Sequence, residues 1–548
     1  MGLFVPFQPA ADEYANHLAA PRPERLRLPS ARWLLLLLVL LCLIPRATMA
    51  VRIPSVCPDG VIYIHAAEAL DAGNWQAGFR DMSLNIYPVI LLLLHRLGLG
   101  WELAAGLWGV TISSLVVLPL WGWVRRQFDD RIALVACLLY AVHPKFIEWS
   151  PEVMRDPTFW LLFTLAIYWL WRAVTEVHYG YFIAGGATVT LASLTRVEGL
   201  FLLIPLAMWT YWRFLALRTD RKRLLFGVVL CVVAFPSLLA LANLGWLFGH
   251  SGLAALRLSP LARAQTWLAS LTGHASAGTP PGLPEEPLSF GRMLWIFFPT
   301  MTRGLSPVFA LLMFAGIWRW RRVWARRDHQ PLFCTAVVVM CGIWVQLWFD
   351  RNICPRYALP IVLMASPFAA LGLLWLIERS LWVGEWLQWS VRRRRATAAA
   401  IAAIVAVIGL TDAMTSNGKY FATRRMAADL GCWMRNEYSS PPTIVGPVGI
   451  TPIISFYANS PYQMFRCETG DASILTMVKR SRAAVVLLQP ARELTDQRCD
   501  AIVARLKDIG LEPVADDALP PTCTDVYVLV RSNKDRYVGQ AKPCPTRR

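Results

Sequence analysis

The stretch PDGVIYIHAAEAL, residues 58–70, sets an acid, Asp59, one helical turn before Tyr63, with His65 and Glu68 following at helical spacing. Three other short stretches mix acids with arginines. EWSPEVMRDP carries Glu148, Glu152, Arg155 and Asp156, TRVEG carries Arg196 and Glu198, and FDRNICPRY carries Asp350, Arg351, Arg356 and Tyr357. A carboxylate can take the proton of a hydroxyl as its oxygen attacks. Arginines can hold a phosphate through charge-assisted, forked hydrogen bonds and stabilise it as a leaving group. A phosphate leaves without a general acid, so these residue types suit transfer of a group from a phosphate to a hydroxyl.

Each stretch also has a plainer reading. Asp59 could be a solvated loop acid, or could cap a helix beginning near Val61. Asp156 could be an N-cap with Pro157 at the first helical position. Arg196 and Glu198 could serve only each other, Arg356 and Tyr357 could anchor the chain at an interface, and His65 and Glu68 could sit on a solvated helix face. The choice depends on which elements carry these residues and whether those elements bring them to one side.

Those elements are built for a bilayer. The chain is 56% hydrophobic and 16% charged, with 25 Trp among 548 residues; a soluble domain carries nearer a quarter charged residues. Long apolar runs alternate with arginine clusters, the pattern of a polytopic helical membrane protein. The net charge of +18 is spread over these clusters rather than gathered on one face, which argues topology and against nucleic-acid binding. Arg125, Arg126 and Arg131, then Arg172, then Arg213 to Arg223, then Arg319 to Arg327, then Arg392 to Arg395 mark cytoplasmic connections under the positive-inside rule.

Spans are expected at 33–50, 102–124, 132–149, 157–172, 181–196, 198–213, 224–248, 306–320, 331–349, 357–378 and 397–414, about eleven in all. The run IYPVILLLLHRL at 86–97 is too short to cross; laid on the outer surface, it keeps every arginine cluster inside. The N-terminal segment 1–32 is then cytoplasmic. The run from Trp33 reads as an uncleaved first span, with a cleaved signal peptide as the other reading. The outer loops are 51–101, 150–156, the turn near Arg196, 249–305 and 350–356. All four acid–arginine stretches fall on that outer face, which is what favours chemistry over four separate structural roles.

Beyond residue 415 hydropathy drops. Candidate helices at 419–437, 471–481 and 497–509 alternate with candidate strands at 443–447, 483–489 and 525–531, so residues 415–548 form an extracytoplasmic α/β domain. It holds Cys432, Cys467, Cys499, Cys523 and Cys544 in a compartment that permits disulfides, with no pairing readable from spacing. The chain has no CxxC pair, no HExxH, no GxSxG and no phosphate-cradling glycine loop.

In order and spacing the chain resembles the GT-C membrane glycosyltransferases, in the bacterial branch similar to protein O-mannosyltransferases and lipid A aminoarabinose transferases. The pieces that carry the resemblance are PDGVIYIHAAEAL, SPEVMRDPTFWLLFTLAIYWLWR, LTRVEGL and PRYALPIVL. The fold class is thus a polytopic α-helical membrane protein of GT-C type, its membrane domain spanning 33–414, followed by the α/β domain. The resemblance implies Asp59 as general base and Asp156 as second acid. It implies Arg155, Arg196 and Arg356 as contacts to a donor phosphate, with Tyr63, His65, Arg80, Glu152, Glu198 and Tyr357 as further substrate-binding candidates. Related enzymes often carry a KPP or PP step where this chain reads NIYPVI, which makes Arg80 the substitute contact there, with Arg96 behind it.

The implied function is transfer of a sugar from a polyprenyl-phosphate donor to a hydroxyl acceptor, with inversion, at the outer face of a bacterial inner membrane. Besides a structural membrane protein whose outer domain binds a partner, the other class considered is a transporter or flippase of lipid-linked sugars. That class would show inverted repeats and midplane charges, neither of which the sequence displays. No metal or other cofactor is expected, although two acids on separate loops could hold a divalent cation. The partners are the lipid-linked donor, a hydroxyl acceptor on protein, lipid or glycan, and membrane lipids.

Overall fold

The computed structural model describes residues 31–79, 85–217, 219–242, 289–319, 327–350, 353–416, 418–466, 469–490, 494–523 and 526–531. Most of segment 1–32, Arg80, Asp81, Arg351, Cys467, Cys544, most of the loop 249–305, and Arg321, Arg322 and Arg326 lie outside those residues.

The chain is a multi-pass membrane protein. Seven described helices are long and apolar enough to cross a bilayer, and eight if the bent pair Phe290–Leu305 and Pro307–Arg319 makes one span. The remaining expected spans overlap helices Asp130–Val142, Tyr179–Thr195 and Arg221–Ala242, none of which belongs to those seven or eight crossing helices among the described residues. Two local differences from the expected pattern have clear causes. The run 132–149 is not one helix. It breaks at His143, whose ψ of 121° is extended, because Pro144 pushes its predecessor out of the helical region. Residues 290–305, expected as loop, form a helix set at 86° to the next. Arg292, Pro299 and Arg303 dilute its apolar character, but Met293, Phe297, Met301 and Gly304 are buried along one stripe.

Packing in the membrane domain relies on close backbone approach as well as apolar bulk. Helix Pro307–Arg319 crosses helix Leu359–Trp386 at Gly316 and Gly372, where a Cβ would sit 1.9 Å from the Phe368 and Leu312 carbonyls, respectively. Only glycine permits that crossing. The short apolar run at 86–97 is a helix, Ile86–Arg96. A second helix, Pro58–Asp71, precedes it and carries the first acid.

The C-terminal part is a mixed five-stranded sheet with helices against it. Strands β1 (Ile444–Pro447), β2 (Tyr462–Phe465), β3 (Val485–Leu488), β4 (Leu511–Pro513) and β5 (Tyr527–Arg531) lie in the order β2-β1-β3-β5-β4. β1 pairs in parallel with β2 and β3, while β5 runs antiparallel to β3 and β4. The three expected strands are present. β2 and β4 are short and half polar, too weak a pattern to announce themselves.

This domain is not tethered loosely to the membrane part. Val61, Ile64 and Ala67 of helix Pro58–Asp71, with Tyr87, Leu91, Ala105 and Val153, share one apolar core with Met426, Leu430, Ile450, Ile454, Val485 and Leu487. The segments that carry helix Pro58–Asp71, helix Ile86–Arg96 and Val153 are therefore the floor on which the C-terminal part folds. Cys432 is disulfide-bonded, while Cys523 is a free thiol and Cys499 is buried.

Candidate active site

Helix Pro58–Asp71 begins with Cys57 as its N-cap and Pro58 in its first turn, and no side chain caps it. Asp59 is thus inside the helix and is not its cap. Its carboxylate lies in the first turn, where the helix dipole favours negative charge. Tyr63, one turn on, is buried and meets the Tyr87 ring edge-on at 5.2 Å. Burial raises the Tyr63 phenol, with Asp156 and Asp59 reinforcing and Arg155 and Arg356 opposing the shift, so its hydroxyl stays protonated.

The second acid is also displaced from the capping role. Arg155 is the N-cap of helix Asp156–Glu176 without a side-chain bond, which puts Asp156 in the first helical turn beside Pro157. Asp156 is buried, and Arg196 Nη1 donates to its Oδ1 at 2.5 Å. The same guanidinium forks onto Glu198, with Nη2 to Oε1 at 2.5 Å and Nε to Oε2 at 3.3 Å. Arg196 can make both contacts because it sits in extended backbone between helix Tyr179–Thr195 and the 3-10 turn Val197–Leu202.

The fourth stretch closes the cluster. Arg356 lies in the 3-10 turn Pro355–Ala358 at the head of helix Leu359–Trp386. Its Nη2 donates to Asp59 Oδ2, and its Nη1 reaches the Met154 sulfur at 2.6 Å. Both guanidiniums lie against the Tyr357 ring, Arg196 at 5.1 Å and Arg356 at 5.5 Å from its centroid, and Arg356 also stands 5.5 Å from the Trp149 ring. Residues from all four stretches thus meet at the ends of helices.

The accessibility of the two acids separates their roles. The Asp59 side chain is 45% exposed and that of Asp156 is 3%. Asp59 is open to solvent on one side, whereas Asp156 is enclosed and held by Arg196. Arg155 is half-buried. It is the one of the three predicted arginines that makes no ion pair among the described residues.

Other predicted residues lie elsewhere. His65 turns toward the soluble domain, 6.2 Å from the Phe456 ring. Six residues after Asp59, it falls on a different helical face. Glu152 is buried in an ion pair with Arg424 at 2.5 Å. Asp350 closes helix Gln330–Asp350. Reading the sequence missed Arg424, Met154 and Trp149, and a buried pair between Lys145 Nζ and Glu148 Oε2 at 2.5 Å. For Arg424 a signal existed. It occupies the stripe shared with the buried Ala427 and Leu430, where a charge needs a partner. Among the described residues no three of His, Cys, Asp or Glu gather as a metal site, and both Asp59 and Asp156 are engaged by arginines.

A family model described as dolichyl-phosphate-mannose-protein mannosyltransferase matches residues 86–246. No curated protein matches the chain. Among solved structures, ArnT from Cupriavidus metallidurans bound to undecaprenyl phosphate is similar at a TM-score of 0.54 and 16% identity, covering 91% of this chain and 98% of that one. The oligosaccharyltransferase of Archaeoglobus fulgidus in its apo form is similar at 0.56 and 14% identity, covering 88% and 73%. The same archaeal protein has been solved with Zn and sulfate, and with an inhibitory peptide and a dolichol-phosphate.

Proposed function

We propose that this chain, which has the fold of the GT-C membrane glycosyltransferases, moves a sugar from a polyprenyl-phosphate donor to a hydroxyl acceptor at the outer face of a bacterial inner membrane. The observation that carries the reading is the division of labour in the cluster. One accessible acid, Asp59, pairs with the largely buried Arg356, while the enclosed Asp156 pairs with the buried Arg196. The arginines supply fixed positive charge where a leaving phosphate develops its own, and Asp59 takes the acceptor's proton. A single displacement with base and leaving group on opposite faces inverts the anomeric centre. A flippase reading finds less support, because transporters place their charges near the midplane.

Arg196 is committed to two acids and Arg356 to Asp59, so Arg155 is the guanidinium with capacity for the donor phosphate. Replacing Arg155 by Ala lowers donor affinity by about 1.5–3 kcal/mol, roughly ten- to a hundredfold. Lys recovers the charge without the fork, and so only part of the affinity. Unchanged binding of a radiolabelled polyprenyl-phosphate sugar to the Ala protein removes Arg155 from the phosphate site. The overall reading is tested with the purified full-length protein, the same donor and a hydroxyl acceptor. Release of free polyprenyl phosphate supports a transferase, and its absence across acceptor classes rejects one.

The orientation has its own test. After accessible native cysteines are replaced, a cysteine at Gly510 reacts with a membrane-impermeant thiol reagent in intact spheroplasts, and one at Asp220 does not. Labelling at 220 alone reverses the topology and moves the site to the cytoplasm.

A further inference from the structure

Arg424, on helix Gly418–Glu437, is fully enclosed, and its bonds reach two different outer loops. Nη1 donates to Glu152 Oε1 at 2.5 Å, and Nη2 donates to the Ser55 carbonyl. In return the Ser55 hydroxyl donates to the Arg424 carbonyl at 3.2 Å. The Tyr420 ring lies 5.3 Å from the guanidinium and the Phe421 ring 5.9 Å. The partners' positions are what matter. Ser55 stands four residues before Asp59, and Glu152 four before Asp156.

Neighbouring contacts tighten the same seam. The Val56 N–H donates to the Tyr457 hydroxyl at 3.3 Å, and that hydroxyl donates to Glu102 at 2.7 Å. The Cys57 thiol faces the Val153 carbonyl at 3.8 Å. A Cβ on Gly60 would meet the Val153 Cβ at 2.7 Å and Val56 at 2.9 Å, so the two loops touch with no slack beside Asp59. An ion pair this buried adds little stability beyond what apolar side chains would give. Its distinctive property is direction, since a planar guanidinium fixes the angle between its two acceptors.

We propose that Arg424 is a positioning residue: by joining Glu152 to the Ser55 carbonyl it locks the first two outer loops together, and so sets Asp59 relative to Asp156. The soluble domain thereby reaches the reaction through one side chain at its base. This inference rests on the transferase reading above.

The seam carries a reporter, because Cys57 is wholly buried in it, and burial also raises its thiol pKa. Full-length protein in detergent is compared as wild type, Arg424→Lys, Arg424→Met and Glu152→Gln. Three readouts are followed: binding of a radiolabelled polyprenyl-phosphate sugar, turnover at saturating donor, and N-ethylmaleimide labelling of Cys57 by peptide mass spectrometry. Arg424→Met binds donor as wild type does, turns over about 10²-fold more slowly, and labels faster at Cys57 as the loops open locally. Arg424→Lys falls between on both counts. Should Arg424→Met not fold, Glu152→Gln shows the same paired change more weakly.

Wild-type turnover in a folded Arg424→Met or Glu152→Gln protein overturns the proposal. So does a turnover loss with Cys57 still protected, or one that follows donor affinity. A wild type that never releases polyprenyl phosphate rejects the transferase reading instead, and the labelling of Cys57 still reports whether Arg424 holds the seam.

Discussion

Asp59→Asn lowers turnover by about 10²–10⁴, the usual contribution of a general base, and leaves donor binding intact. Asn is nearly isosteric and keeps a hydrogen-bond acceptor toward Arg356, but it cannot take the acceptor's proton. The fold survives the change. Asp59 is not the cap of its helix, since Cys57 holds that position without a side-chain bond. Losing a first-turn charge weakens the helix dipole interaction by about 0.3–1 kcal/mol. The ion pair to Arg356 is half open to solvent on the Asp59 side, so its loss adds modestly. The measurement is turnover at saturating donor, beside a donor-binding isotherm and a melting curve. A folded Asp59→Asn protein with near-normal turnover ends the assignment of Asp59 as base. A variant that binds no donor points instead to Asp59 organising Arg356 for the phosphate.

The membrane domain was legible because its signal is redundant. Arginine clusters suggested which loops share a side, which put all four acid–arginine stretches on one face; the resemblance then singled out Asp59, Arg155, Asp156, Arg196 and Arg356 among them. Pairing was less legible. Arg196 with Glu198 is local and readable from adjacency, but Arg196 with Asp156 and Arg356 with Asp59 join residues far apart in sequence. Such pairs depend on how helix ends meet, which no spacing encodes. The expectation that all three arginines face the phosphate therefore takes a finer form, because two of them are engaged by acids. The seam built by Arg424 was legible only in part: its buried stripe could be read, but its distant partners Glu152 and Ser55 could not. Arg424 and Arg425 are adjacent and chemically identical, and only helical phase buries the first. The helix at Phe290–Leu305 failed differently: its apolar stripe was present, but two arginines and a proline masked it.

The second large effect belongs to Arg196, and it is structural before it is chemical. Its guanidinium bridges the buried Asp156 and the largely buried Glu198 at 2.5 Å each. Arg196→Ala leaves two carboxylates in a site with little water, and removing one partner of a buried pair costs about 3–5 kcal/mol. The melting temperature falls, and turnover falls with it because Asp156 loses the contact that orients it. Lys can satisfy one acid but not both, so Arg196→Lys recovers stability only in part. A further combination separates stability from chemistry. Adding Asp156→Asn and Glu198→Gln to Arg196→Ala removes both orphaned charges, which returns much of the stability but none of the geometry. The triple variant should therefore melt near wild type and remain slow. If it regains turnover along with its melting temperature, Arg196 and its two acids are scaffold alone, and the chemistry is confined to Asp59, Arg155 and Arg356.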